Sequence, residues 1–158
     1  MTWSPLPVGV DDFEKLRKEQ YYYIDKTLFI KDLLDMKGEV NLFTRPRRFG
    51  KTLNMSMLRC FFEKDMPGQA ELFRGLQIME AGERYLAFMG RYPVISLSLK
   101  SMKQPSCELS FEMLKKEVGS EFARHWRQVE ESGKLTQAQK ERYLRIRDLR
   151  GVESDYAD

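Results

Sequence analysis

The stretch that decides how this sequence is interpreted is the octapeptide RPRRFGKT at residues 45–52. It ends in Gly50, Lys51 and Thr52, which match the last three positions of the phosphate-binding pattern G-x-x-x-x-G-K-[ST]. In that pattern backbone N–H groups surround the phosphates, the lysine contacts the β- and γ-phosphates, and the hydroxyl binds Mg²⁺. Arg45 stands where the first glycine is expected. Because Pro46 fixes its own backbone and favours an extended Arg45, the sequence predicts a phosphate loop with a modified path.

The segments on either side of the octapeptide favour phosphate binding. Residues 40–44 are predicted to form a short strand, and a helix is predicted to begin near Thr52. A helix N-terminus offers free N–H groups and a partial positive charge to an anion. The forked donors of Arg47 and Arg48 also suit phosphate oxygens. The bare octapeptide leaves a second interpretation open, a solvated basic turn or a patch that binds nucleic-acid phosphates.

Composition limits the class of protein. The chain has 158 residues, enough for one domain, and its 42% apolar and 12% aromatic content excludes a disordered or fibrous protein. The net charge is only +3, so the cluster of four cations within residues 45–51 is a local feature. Cys60 and Cys107 lack metal-ligand spacing, and His125 is the one histidine, so we expect no zinc site. Cys60 falls on the apolar face of a predicted helix and is expected to be buried.

The pattern along the rest of the chain predicts a mostly helical α/β fold. Helices are expected after Asp12 and Asp25 and at about 106–131 and 137–150, and Thr136 with Gln139 predicts a capping box for the last one. A second core strand is predicted at 93–99. No apolar run reaches the length of a membrane span and no signal peptide is visible, so we expect a cytoplasmic protein that does not enter a membrane.

Several separated motifs, in this order, resemble the bacterial AAA-ATPase-like family, whose members often carry a C-terminal PD-(D/E)XK nuclease domain. They are LPVG (6–9), Asp12-Phe13, YYIDKT (22–27), LFTRPRRFGKTL (42–53) and YPVI (92–95). The resemblance is strong over residues 6–100 and looser beyond. In that family the arginine in place of the first glycine is a usual feature, so the octapeptide is a variant of the Walker A motif.

The resemblance implies a fold and a ligand. The fold would be an incomplete P-loop NTPase of the AAA/ASCE type, with core strands near 40–44 and 93–99. Gly50, Lys51 and Thr52 would contact the phosphates of ATP, and Thr52 would bind Mg²⁺ held by the nucleotide. Arg47, Arg48 and Phe49 would flank them. For the Asp25-Lys26-Thr27 segment we favour a helix cap, with Asp25 accepting backbone N–H groups, over direct nucleotide contact.

The resemblance also implies that residues 1–158 are the N-terminal part of one AAA-ATPase-like domain. ATP hydrolysis needs an acidic strand that holds Mg²⁺, and residues 94–99 run into Lys100 where an acid would be needed. We therefore expect a chain truncated before the acidic (Walker B) strand, without the nuclease domain, and unable to hydrolyse ATP alone. In such folds the loop strand and the next strand in sequence are not neighbours. Exposed sheet edges are then expected to cause poor stability or self-association.

Three functional hypotheses remain at this point. The first is weak binding of ATP through the variant loop. This hypothesis leaves open whether the chain is an enzyme. The second is a module that grips nucleic-acid phosphates through the arginine cluster, for which Phe49 is the one interleaved aromatic. The third is an inactive remnant without biochemical activity of its own.

Overall fold

A computed structural model describes residues 4–44, 46 and 49–156, which fall into two compact units divided between Val94 and Ile95. Arg45, Arg47 and Arg48 lie outside the described residues, so their predicted roles stay predictions.

The first unit is helical where the sequence predicts helices. Its α-helices are α1 (Phe13–Lys18), α2 (Leu28–Met36), α3 (Lys51–Phe62), α4 (Gln69–Phe73) and α5 (Glu83–Leu86), with a 3₁₀ helix at Gln77–Glu80. Local signals set the boundaries. The carboxylate of Asp12 accepts the N–H of Lys15 at 2.8 Å and caps α1, as expected for an N-cap residue.

Side chains from these helices and the connections between them form one apolar core. Its buried members are Phe13, Ile30, Met57, Cys60, Phe61, Leu72, Phe73, Leu76, Ile78 and Tyr85. The ring of Phe73 lies 5.0 Å from that of Phe13 and 5.4 Å from that of Phe61, centroid to centroid, so aromatic contacts join α1, α3 and α4. The prediction for Cys60 is confirmed. Burial raises the pKa of its thiol to about 11, as expected for a thiol in the core.

The prediction of two core strands is wrong. Among the described residues no strand forms at 40–44 or 93–99, and the one bridge of strand type is an isolated parallel pairing of Glu63 with Tyr92. The physical reason is that a strand requires a hydrogen-bonded neighbour, and no described backbone hydrogen bond joins residues 40–44 or 93–99 to another extended segment. Their apolar side chains are correspondingly exposed, with Val40 at 89% and Leu42 at 85%. The described part of the chain is therefore mostly helical, and it does not form the predicted α/β P-loop fold, which would contain a sheet.

The second unit is built on a helical hairpin. The long helix α6 (Cys107–Ser132) begins at Ser106, whose hydroxyl accepts the N–H of Leu109, and ends at Gly133 in the left-handed region. The next helix, α7 (Gln137–Arg147), begins with the predicted capping box of Thr136 and Gln139. Short 3₁₀ helices lie at Lys100–Met102 and Glu153–Tyr156.

Close packing and aromatic contacts hold α6 and α7 together. Gly119 is buried, and a Cβ there would come within 3.2 Å of the carbonyl oxygen of Ile146. The ring of Tyr143 lies 4.4 Å from that of Phe122, centroid to centroid, and its hydroxyl donates to the Phe122 carbonyl at 2.8 Å. Across the described residues of both units, none of the helices combines the length and hydrophobicity that crossing a bilayer requires.

Candidate functional site

The predicted phosphate loop leads directly into α3. Gly50 precedes the helix in the left-handed region, with φ 70° and ψ 19°, and Lys51 is the first helical residue. The carbonyl of Gly50 accepts the N–H of Asn54 at 2.9 Å, which closes the first turn of the helix. A glycine adopts this backbone conformation without the steric cost that a Cβ imposes. The segment thus has the glycine-then-helix geometry that the sequence predicts, although the described residues 40–44 before it form no strand.

The start of α3 is held by the core beneath it. Met57, Cys60 and Phe61 on the same helix are fully buried. The hydroxyl of Ser56 accepts the N–H of Phe13 at 2.9 Å, which ties α3 to the start of α1. Because the inner face of α3 is fixed in this way, the position of its N-terminus is fixed as well.

A cavity of about 550 Å³ lies beside the loop and the first turns of α3. The described residues that line it are Lys26, Phe29, Asn41, Phe43, Phe49, Lys51, Asn54 and Met55. Its volume is within the range of about 300–1,000 Å³ usual for small-molecule sites. The lining combines two lysines, three aromatic rings and two side-chain amides, so it is suited to an anionic ligand that also carries a flat group.

Lys26 reaches this cavity because its two neighbours are engaged elsewhere. Asp25 accepts the N–H of Thr27 at 2.8 Å and the N–H of Gln77 at 2.8 Å, and the buried Thr27 hydroxyl donates to the same carboxylate. The hydroxyl of Thr27 also accepts the N–H of Ile78 at 3.2 Å. These bonds fix the start of α2 against the 3₁₀ helix, while Lys26 between them is exposed and lines the cavity.

Asp25 therefore does accept backbone N–H groups, as predicted, but one of them lies 52 residues away along the chain. Thr27 and not Asp25 occupies the N-cap position of α2. Burial alone would raise the pKa of Asp25, but the hydrogen bonds from Gln77 and Thr27 outweigh it and lower that pKa overall. The ionised Asp25 side chain thus connects the segment before α2 to the 3₁₀ helix at Gln77–Glu80.

The aromatic side of the cavity is supported at one end by the core. Phe29 packs against the apolar core, and its ring lies 4.8 Å from that of Phe43 in an edge-to-face arrangement, centroid to centroid. Phe49 is 61% exposed. Phe43, two residues before the octapeptide, and Phe49, within it, therefore present ring surface at the cavity.

The structure brings some of the predicted site residues together. Phe49 and Lys51 line one cavity, Gly50 lies between them, and the ammonium of Lys51 donates to the Pro46 carbonyl at 3.3 Å. Thr52 is exposed in the first turn of α3 but is not among the described residues that line the cavity. Arg47 and Arg48 are outside the described residues, so their place in the site stays a prediction.

From the sequence, a helix cap is favoured over nucleotide contact for the segment that contains Lys26, and Phe43 and Asn54 are not predicted as site residues. Lys26 had a usable signal, because it stands between an acid and a threonine that both tend to bond backbone groups, which leaves the lysine facing outward. Phe43 had a weaker signal as an aromatic next to a basic loop. Asn54 had none, because a single asparagine in a helix does not indicate what faces it.

Comparison with known proteins identifies the family of this chain. Residues 7–150 match the AAA-ATPase-like family, described as "Predicted AAA-ATPase". The chain is also similar to an "Uncharacterized protein in vnfD 5'region" of Azotobacter chroococcum mcd 1, with 37% identity over 99 residues. That alignment covers 62% of this chain and 17% of the relative, so the chain spans a small part of that protein's length. No solved structure matches this chain significantly. Because the family match covers most of the sequence, the chain belongs to the predicted AAA-ATPase family.

Proposed function

We propose that the start of α3 binds the phosphates of ATP, with Gly50, Lys51 and Thr52 as the contacting residues. The observation that carries the proposal is the left-handed Gly50 placed directly before a helix whose first residue, Lys51, lines a cavity with a second lysine. The first N–H groups of a helix have no partner within the helix, and they favour anions together with the helix dipole.

The residues present fit a nucleotide phosphate with Mg²⁺. Lys51 and Lys26 supply two positive charges at one cavity, and the hydroxyl of Thr52 lies one residue beyond Lys51 at the exposed start of the helix. Bound Mg²⁺ would neutralise phosphate charge, and Thr52 is the residue proposed to hold it. Arg47 and Arg48 are proposed as flanking phosphate contacts, by their position in the octapeptide. Membership in a predicted ATPase family is consistent with a nucleotide-binding role in general.

The test is the thermal stability of the protein with and without Mg·ATP. A ligand that binds only the folded protein at 100 times its Kd adds about 2.7 kcal/mol to the free energy of unfolding. We expect Mg·ATP to raise the melting temperature of the wild type by several degrees, and Lys51→Ala to abolish the rise. The matched control is Lys15→Ala, which removes an exposed lysine of α1 in the same unit and should leave the rise intact. A wild type that shows no nucleotide effect would overturn the proposal.

The nucleic-acid alternative is tested in the same samples. The exposed Phe49 in a basic loop is the observation that favours it. We expect excess ATP to displace a bound oligonucleotide only if both occupy the loop. Oligonucleotide binding could instead fall steeply with salt, persist in Lys51→Ala and be unaffected by ATP. That result would indicate that the arginine cluster binds nucleic acid.

A further inference from the structure

The two lysines of the cavity beside the loop come from different parts of the first unit. Lys51 begins α3, whereas Lys26 lies shortly before α2, outside the octapeptide. The described lining of the cavity contains both lysines and no carboxylate. Such a lining attracts anions, and the attraction increases with the negative charge of the ligand. Lys26 therefore adds a positive charge that the octapeptide alone does not supply.

The backbone that carries Lys26 is held on both sides. Its N–H donates to the Tyr23 hydroxyl at 3.4 Å, and its carbonyl accepts the N–H of Phe29 at 3.0 Å. The next residue, Thr27, is fully buried, and its hydroxyl accepts the N–H of Ile78 at 3.2 Å. A side chain on a fixed backbone loses less conformational freedom when it binds a ligand. The exposed Lys26 side chain is therefore partly preorganised to contact an anion in the cavity.

Asp25 precedes Lys26 in the chain, but its two carboxylate oxygens accept other donors. Oδ1 accepts the N–H of Thr27 at 2.8 Å and the Thr27 hydroxyl at 2.7 Å, and Oδ2 accepts the N–H of Gln77 at 2.8 Å. These bonds help to fix the backbone of Lys26, whereas the negative charge of Asp25 opposes the approach of an anion. The two effects on ligand binding have opposite signs, so an experiment can separate them.

We propose that Lys26 contacts the outermost phosphate of the bound nucleotide and so makes the site select ATP over ADP. Asp25 is a positioning residue that acts through Lys26. This inference rests on the proposed function, since it extends the phosphate contacts to a residue outside the octapeptide. Lys51 and the start of α3 bind both nucleotides, and Lys26 adds a contact that only ATP supplies.

The experiment measures the affinity of the full chain for Mg·ATP and for Mg·ADP by isothermal titration calorimetry. We expect the wild type to bind ATP about tenfold more tightly than ADP, the low end of what a hydrogen bond to a charged group contributes. Lys26→Met should bind the two nucleotides about equally, and Lys26→Arg should keep the preference for ATP, because it keeps the charge. The matched control is Lys15→Met, which removes an exposed lysine that does not line the cavity and should leave the preference intact.

Asp25→Asn tests the positioning role. It removes a negative charge near the site, so by charge alone it should strengthen ATP binding. We expect it instead to weaken ATP binding by about threefold and to lower the preference for ATP, because an amide cannot accept all of the same donors. In the Lys26→Met background it should leave the ratio of the two affinities unchanged. Asp32→Asn, at an exposed acid of α2 that does not line the cavity, is the control.

The outcomes separate this inference from the proposed function. If neither nucleotide binds the wild type, the proposed function fails and this inference fails with it. If both bind and Lys26→Met weakens them equally, the phosphate site stands and the assignment of Lys26 is overturned. If Asp25→Asn strengthens ATP binding, or changes the ratio of affinities in the absence of Lys26, its positioning role is overturned. Melting curves of each variant without ligand verify that it is folded.

Discussion

At the scale of single residues, Gly50 shows what the octapeptide contributes to the structure. Its φ of 70° lies in the left-handed region, and a Cβ at this position would meet no other atom within 4 Å. The requirement for glycine is therefore one of backbone conformation and not of space. Gly68 is nearly identical, because it precedes α4 with φ 69° and ψ 17°, also with open space around it. The two glycines differ in that only Gly50 adjoins the cavity.

This similarity gives a matched pair of variants. Gly50→Ala and Gly68→Ala should each lower the free energy of unfolding by about 1–2 kcal/mol, the cost of a Cβ in the left-handed region. Urea denaturation measures this loss. Only Gly50→Ala should also reduce the stabilisation by Mg·ATP. If Gly68→Ala reduces it to the same extent, the effect is a general loss of stability and Gly50 has no special part in binding.

Single residues also show the limit of what the sequence predicts. Gly50 and Lys51 are predicted as site residues because a short motif carries their chemistry locally. Asp25 is predicted to bond backbone N–H groups, which it does, but its contact with Gln77 depends on how the chain folds back. Lys26 and Asn54 join the site through the same folding. Contacts between residues far apart in sequence are not encoded in any one segment, so only the structure shows that these residues line one cavity.

At the scale of elements, the helices were predictable and the strands were not. The helices that follow Asp12, Ser106 and Thr136 begin where their capping side chains indicate, because an N-cap acts within its own first turn. Residues 40–44 and 93–99 have apolar residues typical of strands, but a strand depends on a partner elsewhere in the chain. Apolar pattern alone does not supply that partner, and the described residues form no sheet.

The final described element of the second unit is held by a buried carboxylate. Asp155 is buried and receives two hydrogen bonds from Arg145, at 2.7 and 3.1 Å, and a third from the N–H of Val152 at 3.1 Å. The hydrogen bonds from Arg145 are the largest cause of a lowered pKa at Asp155, and burial opposes them. The ionised carboxylate therefore fastens the Glu153–Tyr156 helix to α7.

This arrangement predicts a dependence of stability on pH. Because the folded pKa of Asp155 lies below its unfolded value of about 3.9, its stabilising effect is fully present above that pH and is lost as the pH falls through the folded pKa. We expect the melting temperature to fall as the pH is lowered from about 5 to about 2, because such a carboxylate becomes protonated over that range. The fall should be smaller in Asp155→Asn, whose side chain does not titrate.

Circular dichroism melts across this pH range measure the effect. Glu153→Gln, an exposed neighbour in the same 3₁₀ helix, is the control and should keep the wild-type profile. An Asp155→Asn profile that runs parallel to the wild type would show that this carboxylate does not contribute to acid sensitivity.

At the scale of the whole molecule, the described surface carries apolar side chains in the two segments that were predicted as strands. Val40 and Leu42 are 89% and 85% exposed, and Ile95 and Leu99 are 72% and 67% exposed. Exposed apolar side chains promote association between chains. The expectation of self-association therefore continues to apply, although its stated cause, the edge of a sheet, does not exist among the described residues.

We expect residues 1–158 to self-associate with rising concentration, and Val40→Lys to weaken the association. Sedimentation velocity over a range of concentrations measures it. Val8→Lys is the matched control, since Val8 is 88% exposed but lies outside both segments. A monomer at all concentrations with a sharp cooperative melt would contradict the expectation, and equal effects of the two variants would contradict the role of Val40.

Backbone amide chemical shifts provide the sharpest test of whether nucleotide phosphates bind at the start of α3. Mg·ATP is titrated into the isotopically labelled chain, and the shift of each amide signal is followed. We expect the largest changes at Gly50, Lys51 and Thr52, and we expect them to disappear in Lys51→Ala. Signals that do not move, or that move in α6 and α7 but not at the start of α3, would show that the nucleotide does not bind at the start of α3.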